Sequence, residues 1–307
     1  MEDRKKPEAI RAGNRKRASD FDPRLLELYD GYVHGKMTKR DFLANATKYV
    51  ATGVTAAAVL KSLQPNYALA QQVAPNDPDI ETMMAEYDSP EGHGIVRGLM
   101  ARPANAEGPL PAVLVIHENR GLNPYIEDVV RRLAKAGYLA FGPDGLTPLG
   151  GYPGDDDTGR DMQSQLDPAK LMEDFFAAFE FLESHADSSG KVGAVGFCYG
   201  GGVCNALAVA YPTLAASVPF YGRQADASDV PAIQAPLQIH YASLDERINA
   251  GWPAYEAALQ EHGKTYEVHF YEGANHGFHN DTTPRYDADA AELAWRRTLT
   301  HFERYLT

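Results

Sequence analysis

The 307-residue chain has few cysteines, and its motifs exclude several classes of cofactor site. Cys198 and Cys204 are its two cysteines, and they stand six residues apart on a predicted turn and helix. That spacing separates them by about 9 Å along a helix axis, beyond the ~7 Å limit between Cα atoms of a disulfide. The two cysteines and scattered histidines also lack the spacing of a zinc site. We found no phosphate-binding glycine loop and no dinucleotide fingerprint, so we expect no metal and no organic cofactor.

Positive charge is scarce outside the first seventy residues. Residues 1–70 contain 13 Lys and Arg against 8 Asp and Glu, whereas residues 71–307 contain 16 against 34. A nucleic acid would meet a repulsive field on such an acidic body, so we expect a small-molecule partner instead. The predicted domains are a basic extension (1–70) and a catalytic body (71–307) that does not span a membrane. The sequence leaves a homo-oligomer possible.

The stretch Gly196-Phe197-Cys198-Tyr199-Gly200 combines a strand, a turn and a helix. Lys191 to Phe197 is short and apolar, as in a buried parallel strand, and Tyr199 to Ala210 predicts a helix. Cys198 therefore falls on a sharp turn, in the position of a hydrolase nucleophile, where a helix N-terminus favours the thiolate. The alternative is that Cys198 is a small buried apolar residue.

An acid and a histidine follow this cysteine in chain order. The predicted strand Pro236 to Tyr241 leads to Asp245, and the predicted strand Tyr266 to Tyr271 leads to a loop that contains His276. Nucleophile, acid and histidine in this order, each after the carboxyl end of a strand, are typical of α/β-hydrolases. We therefore predict that Cys198, Asp245 and His276 form a catalytic triad.

A further predicted strand, Pro111 to Ile116, ends in His117-Glu118-Asn119-Arg120-Gly121. This position supplies one oxyanion-hole amide in the fold, so the predicted donors are the backbone N–H groups of Asn119 and Tyr199. A carboxylate at Glu118 would destabilise the negative charge that develops in the oxyanion hole. We therefore expect Glu118 to take part in the chemistry, for example by accepting the Cys198 proton. Its alternative is a surface or structurally paired glutamate.

These motifs together resemble the dienelactone hydrolase family of carboxymethylenebutenolidases, over roughly Met83 to Thr307. The resemblance implies an α/β-hydrolase fold, a triad at Cys198, Asp245 and His276, a thiol-gating role for Glu118, and oxyanion amides at Asn119 and Tyr199. The family's enol-lactone hydrolases use two arginines for the substrate carboxylate. One of them follows the next strand after the one that leads to Glu118, and the other comes shortly after the histidine. In this chain the region after that strand reads Pro143-Asp144-Gly145-Leu146 and has no arginine, and Arg285 is the nearest candidate for the arginine after the histidine.

An anionic substrate group would need a local arginine in so acidic a body. The substrate-binding candidates are therefore Arg120, Arg223 and Arg285, with Tyr221 beside them. The alternative for each arginine is a solvated surface charge.

The extension has two interpretations. Pro23 to His34 predicts an amphipathic helix, and Thr38-Lys39-Arg40-Asp41-Phe42-Leu43 resembles a twin-arginine export motif with lysine in place of the first arginine. The weakly apolar run Tyr49 to Leu60 and the small residues Ala68-Leu69-Ala70 before Gln71 fit a cleaved leader. The alternative is a retained helical extension that packs on the body. Localisation is accordingly either exported or cytoplasmic.

The rest of the body predicts a doubly wound, mostly parallel α/β sheet without a large cap domain. Its further elements are an early antiparallel strand Ile95–Ala101, helix Tyr125–Ala136, strand Tyr138–Phe141, helix Pro168–His185, strand Leu214–Phe220 and helix Ala288–Tyr305. Thr147 to Gln165 predicts a glycine- and aspartate-rich loop over the site, as a lid or as plain surface.

The function predicted from these residues is a cysteine-dependent hydrolase that cleaves a small ester or lactone through a thioester. One alternative is a general carboxylesterase or thioesterase with another acyl preference. The other is a non-catalytic scaffold with a redox-sensing thiol at Cys198.

Overall fold

The structure is a computed structural model that describes residues 16–69 and 71–307, and residues 1–15 and residue 70 lie outside it. An eight-stranded sheet of order β1-β2-β4-β3-β5-β6-β7-β8 forms the centre of the body. Its strands are β1 (Ile80–Ser89), β2 (Gly94–Pro103), β3 (Leu110–Ile116), β4 (Leu139–Pro143), β5 (Ser188–Phe197), β6 (Ala216–Phe220), β7 (Leu237–Ala242) and β8 (Tyr266–Tyr271). The pairs β1–β2 and β2–β4 are antiparallel, and all others are parallel.

Ten α-helices lie within the described residues. They are α1 (Pro23–Val33), α2 (Lys39–Ala46), α3 (Ala56–Leu63), α4 (Pro124–Lys135), α5 (Asp156–Gln163), α6 (Pro168–Ser184), α7 (Tyr199–Ala210), α8 (Glu246–Asn249), α9 (Trp252–Glu261) and α10 (Ala288–Leu306). Apolar residues of α6, α7 and α9 form a core on one face of the sheet, and those of α4 and α10 form a core on the other. The predicted doubly wound, mostly parallel sheet is therefore confirmed. No helix of the described residues has the length and apolar character needed to cross a membrane.

The sequence analysis missed the strand β1 and, in the body, the helices α5, α8 and α9. β1 pairs with β2 alone and leaves side chains such as Met83 and Met84 exposed, so its apolar pattern does not mark a buried face. The segment from Thr147 to Gln165 is not loop throughout, because it contains α5, which begins at Asp156. The side chain of Asp155 caps this helix by accepting the backbone N–H of Thr158, which explains why a polar segment without apolar periodicity is helical.

The extension folds into three short helices with a core of its own. Tyr29, Tyr32 and Phe42 are at most 2% exposed and pack together with their ring centroids 5.7–6.4 Å apart. The predicted helix Pro23 to His34 is confirmed as α1, and Asp22 caps it by accepting the backbone N–H of Arg24. Each helix begins at a capping side chain, which offsets the low intrinsic stability of segments this short.

This extension packs on the body beside α5. Lys39 lies 3.3 Å from Asp157 in an ion pair, and the guanidinium of Arg160 stacks over the ring of Tyr32 at 4.5 Å. The α1 and α5 segments therefore support each other. The predicted boundary near residue 70 and the leader interpretation stay predictions, and Ala70 of the expected cleavage site lies outside the described residues.

Candidate active site

Cys198 occupies the turn between β5 and α7, as the sequence predicts. Its backbone has φ 56° and ψ −110°, a conformation that costs a non-glycine residue roughly 1–3 kcal/mol. The backbone N–H of Cys198 donates to the carbonyl of Phe220 at 3.0 Å, which holds the turn against the next strand. A Cβ atom at Gly196 would collide with the carbonyl of Gly200, so this tight turn requires glycine. The strained turn projects the thiol beyond the carboxyl end of the sheet.

His276 and Asp245 lie at the same edge and contact each other directly. Nδ1 of His276 is 2.5 Å from Oδ2 of Asp245, and both side chains are almost fully buried. Burial alone would lower the pKa of His276, but the Cys198 thiolate and the Asp245 carboxylate raise it to about 10. Burial raises the pKa of Asp245, yet the hydrogen bond to His276 outweighs it and the net shift is downward. The pair therefore favours an imidazolium that faces the sulfur.

The Cys198 thiol responds to this charge. Burial would raise the pKa of Cys198, but the positive charges of His276 and His34 hold it well below its usual range. One ring nitrogen of each histidine and the Cys198 sulfur all lie within 4.8 Å of one another. The structure thus brings the predicted triad residues together, while their catalytic roles remain predictions.

The two predicted oxyanion donors flank the close approach of the end of β3 to the start of α7 and line one cavity. A Cβ atom at Gly200 would collide with the carbonyls of Ile116 and His117, so only glycine lets the end of β3 approach the helix this closely. Asn119 and Tyr199 line the same cavity as Cys198. Within the described residues, no hydrogen-bond acceptor is found for the backbone N–H of either one. Unpaired amides of this kind are available to an oxyanion.

Glu118 is buried, with 3% exposure. The side-chain amide of Asn280 donates to its Oε2 atom at 3.0 Å. Burial raises the pKa of Glu118, the charge of Arg120 opposes this, and the Cys198 thiolate adds to it. Glu118 and Cys198 therefore influence each other's ionisation, which the thiol-gating role requires.

Two of the four predicted substrate-binding residues line the cavity. Tyr221 is fully buried, with its ring 4.9 Å from that of His276. Arg223 lies at the rim with 80% of its side chain exposed, 3.4 Å from Asp226. Of the two, Arg223 carries the charge that an anionic group could reach.

The other two predicted arginines are used elsewhere. Arg120 is buried and forms an ion pair with Asp156 of α5 at 3.0 Å, and Arg285 is buried and lies 3.5 Å from Asp30 of α1. Neither belongs to the described residues that line the cavity. Both form buried ion pairs and neither lines the cavity, so the structure does not place them at the candidate site, and their substrate-binding role stays a prediction.

The sequence reading missed a second histidine at the thiol. Nε2 of His34, the C-cap residue that follows α1, is 3.3 Å from Sγ of Cys198, and the His34 ring packs edge-on against His276 at 4.8 Å. Arg247 reaches the same place, with one guanidinium nitrogen 3.2 Å from Nε2 of His34 and 3.4 Å from Nδ1 of His276. His34 lies 164 positions before Cys198 in the chain. Their contact arises from tertiary packing, so no motif around either residue predicts it.

In the described part of the chain, His34, Cys198 and His276 are also a group of three whose atoms could hold a metal ion. The guanidinium of Arg247 lies within 3.4 Å of both imidazoles, and its positive charge opposes a cation there. We therefore assign no metal ligands, and the expectation of a metal-free site stays a prediction.

The cavity next to Cys198 has a volume of about 680 Å³. Its walls are largely apolar, with side chains from α6, α7 and α8 that include Met172, Phe176, Val203, Val209 and Ile248. Polar groups also line it, among them Cys198, His276, His34 and Asn119. This combination is typical of a small-molecule site.

Comparisons with known proteins agree with this geometry. The model of the dienelactone hydrolase family matches residues 96–306, and a model described as YqhI-like matches residues 13–51. A putative hydrolase fragment, YghX, of Escherichia coli is 60% identical over 115 residues, which cover 38% of this chain and 98% of that protein.

Longer relatives cover most of the body. A putative carboxymethylenebutenolidase of Methylorubrum extorquens is 32% identical over 272 residues, covering 80% of this chain and 91% of that protein. The crystal structure of a putative dienelactone hydrolase from Klebsiella pneumoniae superposes with a TM-score of 0.65 at 28% identity, covering 73% of this chain and all of that one. The chain therefore belongs to the dienelactone hydrolase family, within the α/β-hydrolase superfamily.

Proposed function

We propose that this protein is a cysteine-dependent hydrolase that cleaves a small ester or lactone through a thioester intermediate. The observation that carries the proposal is the position of a buried Asp245–His276 pair, with a ring nitrogen of His276 within 4.8 Å of a thiol on a strained strand-to-helix turn. A structural cysteine needs neither the strain nor the charges, and natural proteins retain such strain mainly at functional sites.

The first step is attack by the thiolate of Cys198 on the substrate carbonyl carbon. The lowered pKa of Cys198 and the raised pKa of His276 favour a thiolate–imidazolium pair at neutral pH. The nucleophile is thus ionised before substrate binds, and His276 holds the proton that the leaving alkoxide needs. The C–O bond breaks, the alcohol leaves with that proton, and a thioester remains on Cys198.

The second step is hydrolysis of this thioester. Neutral His276, oriented by Asp245, removes a proton from water, the hydroxide adds to the thioester carbonyl, and the carboxylic acid leaves as the C–S bond breaks. The free N–H groups of Asn119 and Tyr199 stabilise the oxyanion of both tetrahedral intermediates. Removal of one such donor typically slows an enzyme by about 10²–10³-fold.

Glu118 sets the ionisation of the thiol in the free enzyme. Its burial raises its pKa, so it can hold a proton next to Cys198 without adding a second negative charge. Arg223 at the rim and Arg247 beside the two histidines are cations that line the cavity and could meet an anionic substituent, and the apolar walls fit an uncharged acyl or alkyl group. We therefore propose that esters or lactones with one apolar group are preferred.

The decisive experiment compares Cys198→Ala with Cys204→Ala on a panel of activated esters of increasing acyl length and on enol-lactones. Cys204 is fully buried, and burial holds the pKa of its thiol well above the usual range, so this thiol stays protonated and unreactive. It is therefore the matched control. We expect Cys198→Ala to lose hydrolysis while Cys204→Ala retains it. Intact mass spectrometry of the quenched native enzyme should show an acyl adduct on Cys198. An active Cys198→Ala protein would disprove the mechanism.

A further inference from the structure

Two Asp–His pairs flank the single thiol of the site. On one side Asp245 contacts Nδ1 of His276 at 2.5 Å. On the other side Asp30 Oδ1 lies 3.1 Å from Nδ1 of His34, and Nε2 of His34 faces the Cys198 sulfur at 3.3 Å. The Asp245 carboxylate accepts a hydrogen bond from Nδ1 of His276, whereas Nδ1 of His34 donates to the Asp30 backbone carbonyl and the Asp30 carboxylate lies beside it as an ion partner. In both histidines the other ring nitrogen is left available to the thiol, as in an oriented catalytic histidine. The first pair comes from the catalytic body and the second from the extension.

We propose that His34 is a catalytic residue which the extension supplies, and that its imidazolium holds the Cys198 thiolate ready for attack. This rests on the proposed cysteine hydrolase function and adds a second cation to it. The extension is then part of the active site and has to be retained in the working enzyme.

The end of α1 is built to place this imidazole. Nδ1 of His34 donates to the Asp30 carbonyl at 2.7 Å, one helical turn earlier, and the C-terminus of a helix stabilises a positive charge. The side-chain amide of Asn119 donates to the carbonyl of Val33 at 2.7 Å. Because Asn119 also supplies a proposed oxyanion amide, this hydrogen bond fixes α1 to the part of the site that stabilises the transition state.

The charges around His34 decide its protonation. Its own helix contributes Asp30, and the packed elements contribute Cys198 from the turn, His276 from the loop after β8, and Arg247 from α8. Burial lowers the pKa of His34, but the negative Cys198 and the hydrogen bond to Asp30 outweigh it and the net shift is upward.

Arg247 opposes a proton on His34, and Asp30 offsets that effect. Nε of Arg247 lies 3.6 Å from Asp30 Oδ2, and Arg285 lies 3.5 Å from Asp30 Oδ1. One carboxylate therefore faces two guanidinium groups and an imidazolium, and the Cys198 thiolate adds a second negative charge to this cluster. The arrangement is most favourable when Cys198 is negative.

His34 does not close the site. His34 and Cys198 both line the 680 Å³ cavity, so the sulfur remains open to it with the helix in place. A helix that simply blocked the enzyme would cover the sulfur. The geometry points instead to a wall of the active site that carries a functional group.

The test measures the rate of iodoacetamide alkylation of Cys198 against pH in the full chain, because alkylation reports the thiolate and needs no turnover. The variant is His34→Gln, and the control is His262→Gln, the same change at an exposed histidine at the end of α9. We expect His34→Gln to move the profile to higher pH, with alkylation on its rising limb up to about tenfold slower for each pH unit of displacement. The control should match the native protein.

Turnover gives the second readout. The loss of kcat/KM in His34→Gln should be largest at low pH and should shrink at high pH, where the thiol ionises without help. An unchanged alkylation profile in folded His34→Gln, or faster hydrolysis by it, would overturn the proposal and favour a packing or blocking role. Asp30→Asn covers the case in which His34→Gln does not fold, since it should displace the profile in the same direction by a smaller amount, and an unmoved profile there also overturns it. Hydrolysis by Cys198→Ala, in contrast, would count against the proposed function alone.

Discussion

The Nε2 atom of His34 lies 3.3 Å from the Sγ atom of Cys198, although 164 positions separate the two residues in the chain. The sequence is compatible with a leader that includes α1. In the structure, the C-cap of this helix instead contacts the predicted nucleophile of the body. This contact connects the two regions that composition divides, a basic extension and an acidic catalytic domain.

The first prediction concerns the relative reactivity of the two thiols. Iodoacetamide at neutral pH should label Cys198 at least about 10²-fold faster than Cys204, since only the thiolate reacts and the two pKa values shift in opposite directions. Peptide mass spectrometry over a time course measures both rates in one sample. Comparable rates would count against an activated Cys198.

The second prediction concerns Glu118. Glu118→Gln keeps the shape and the hydrogen bond with Asn280 but cannot exchange a proton, so it should change the pH dependence of Cys198 alkylation and lower turnover. Stopped-flow alkylation and ester hydrolysis across pH 5 to 9 measure the two effects. If both profiles match the native enzyme, Glu118 has a structural role only.

The third prediction concerns Asp30 and the stability of the docked extension. Burial raises the pKa of Asp30, but the hydrogen bond and charge of His34, with His276 and Arg285, hold it well below its usual range. A carboxyl with a lowered folded-state pKa stabilises the protein above its unfolded pKa of about 4, and loses that contribution as pH falls through the folded value. Asp30→Asn should therefore lower the free energy of unfolding by about 1–3 kcal/mol at pH 7, and by less in acid.

Urea denaturation of the native protein and of Asp30→Asn at several pH values between 7 and 3 tests this. Asp88→Asn is the control, because Asp88 is an exposed carboxylate on β1. The difference in the free energy of unfolding between the native protein and Asp30→Asn should become smaller as the pH falls below about 4. A difference that stays constant with pH would contradict the assignment.

The fourth prediction concerns the fate of the extension. Export with cleavage near Gln71 is untested, and it would remove α1 and with it His34. The contacts of α1 with the site favour the docking alternative, so we expect active protein isolated from its native host to retain residues 23–69. Intact mass and N-terminal sequencing decide between the two. An active form that begins at or near Gln71 would support the leader.

Much of the body follows from local sequence pattern. Short apolar runs bounded by glycine or proline predict buried parallel strands, so β3, β5, β7 and β8 and the helix α7 agree with the sequence reading to within a few residues. The edge strand β1 and the polar helix α5 escape that reading, since one exposes apolar residues and the other is held by a cap and by ion pairs. The spacing of apolar residues in a sequence reflects which side chains are buried, and β1 and α5 are only partly buried.

The sequence by itself determined the nucleophile turn, the order of Cys198, Asp245 and His276, and the position of the loop that holds Glu118 and Asn119. These features depend on chain order and on the rule that parallel strands end at one edge of a sheet. Only the tertiary structure decided that Arg120 and Arg285 serve ion pairs with Asp156 and Asp30, and that His34 reaches the thiol. Contacts between residues far apart in the chain arise from the packing of whole helices on the sheet, and no local pattern of residue types encodes which distant side chain each one meets.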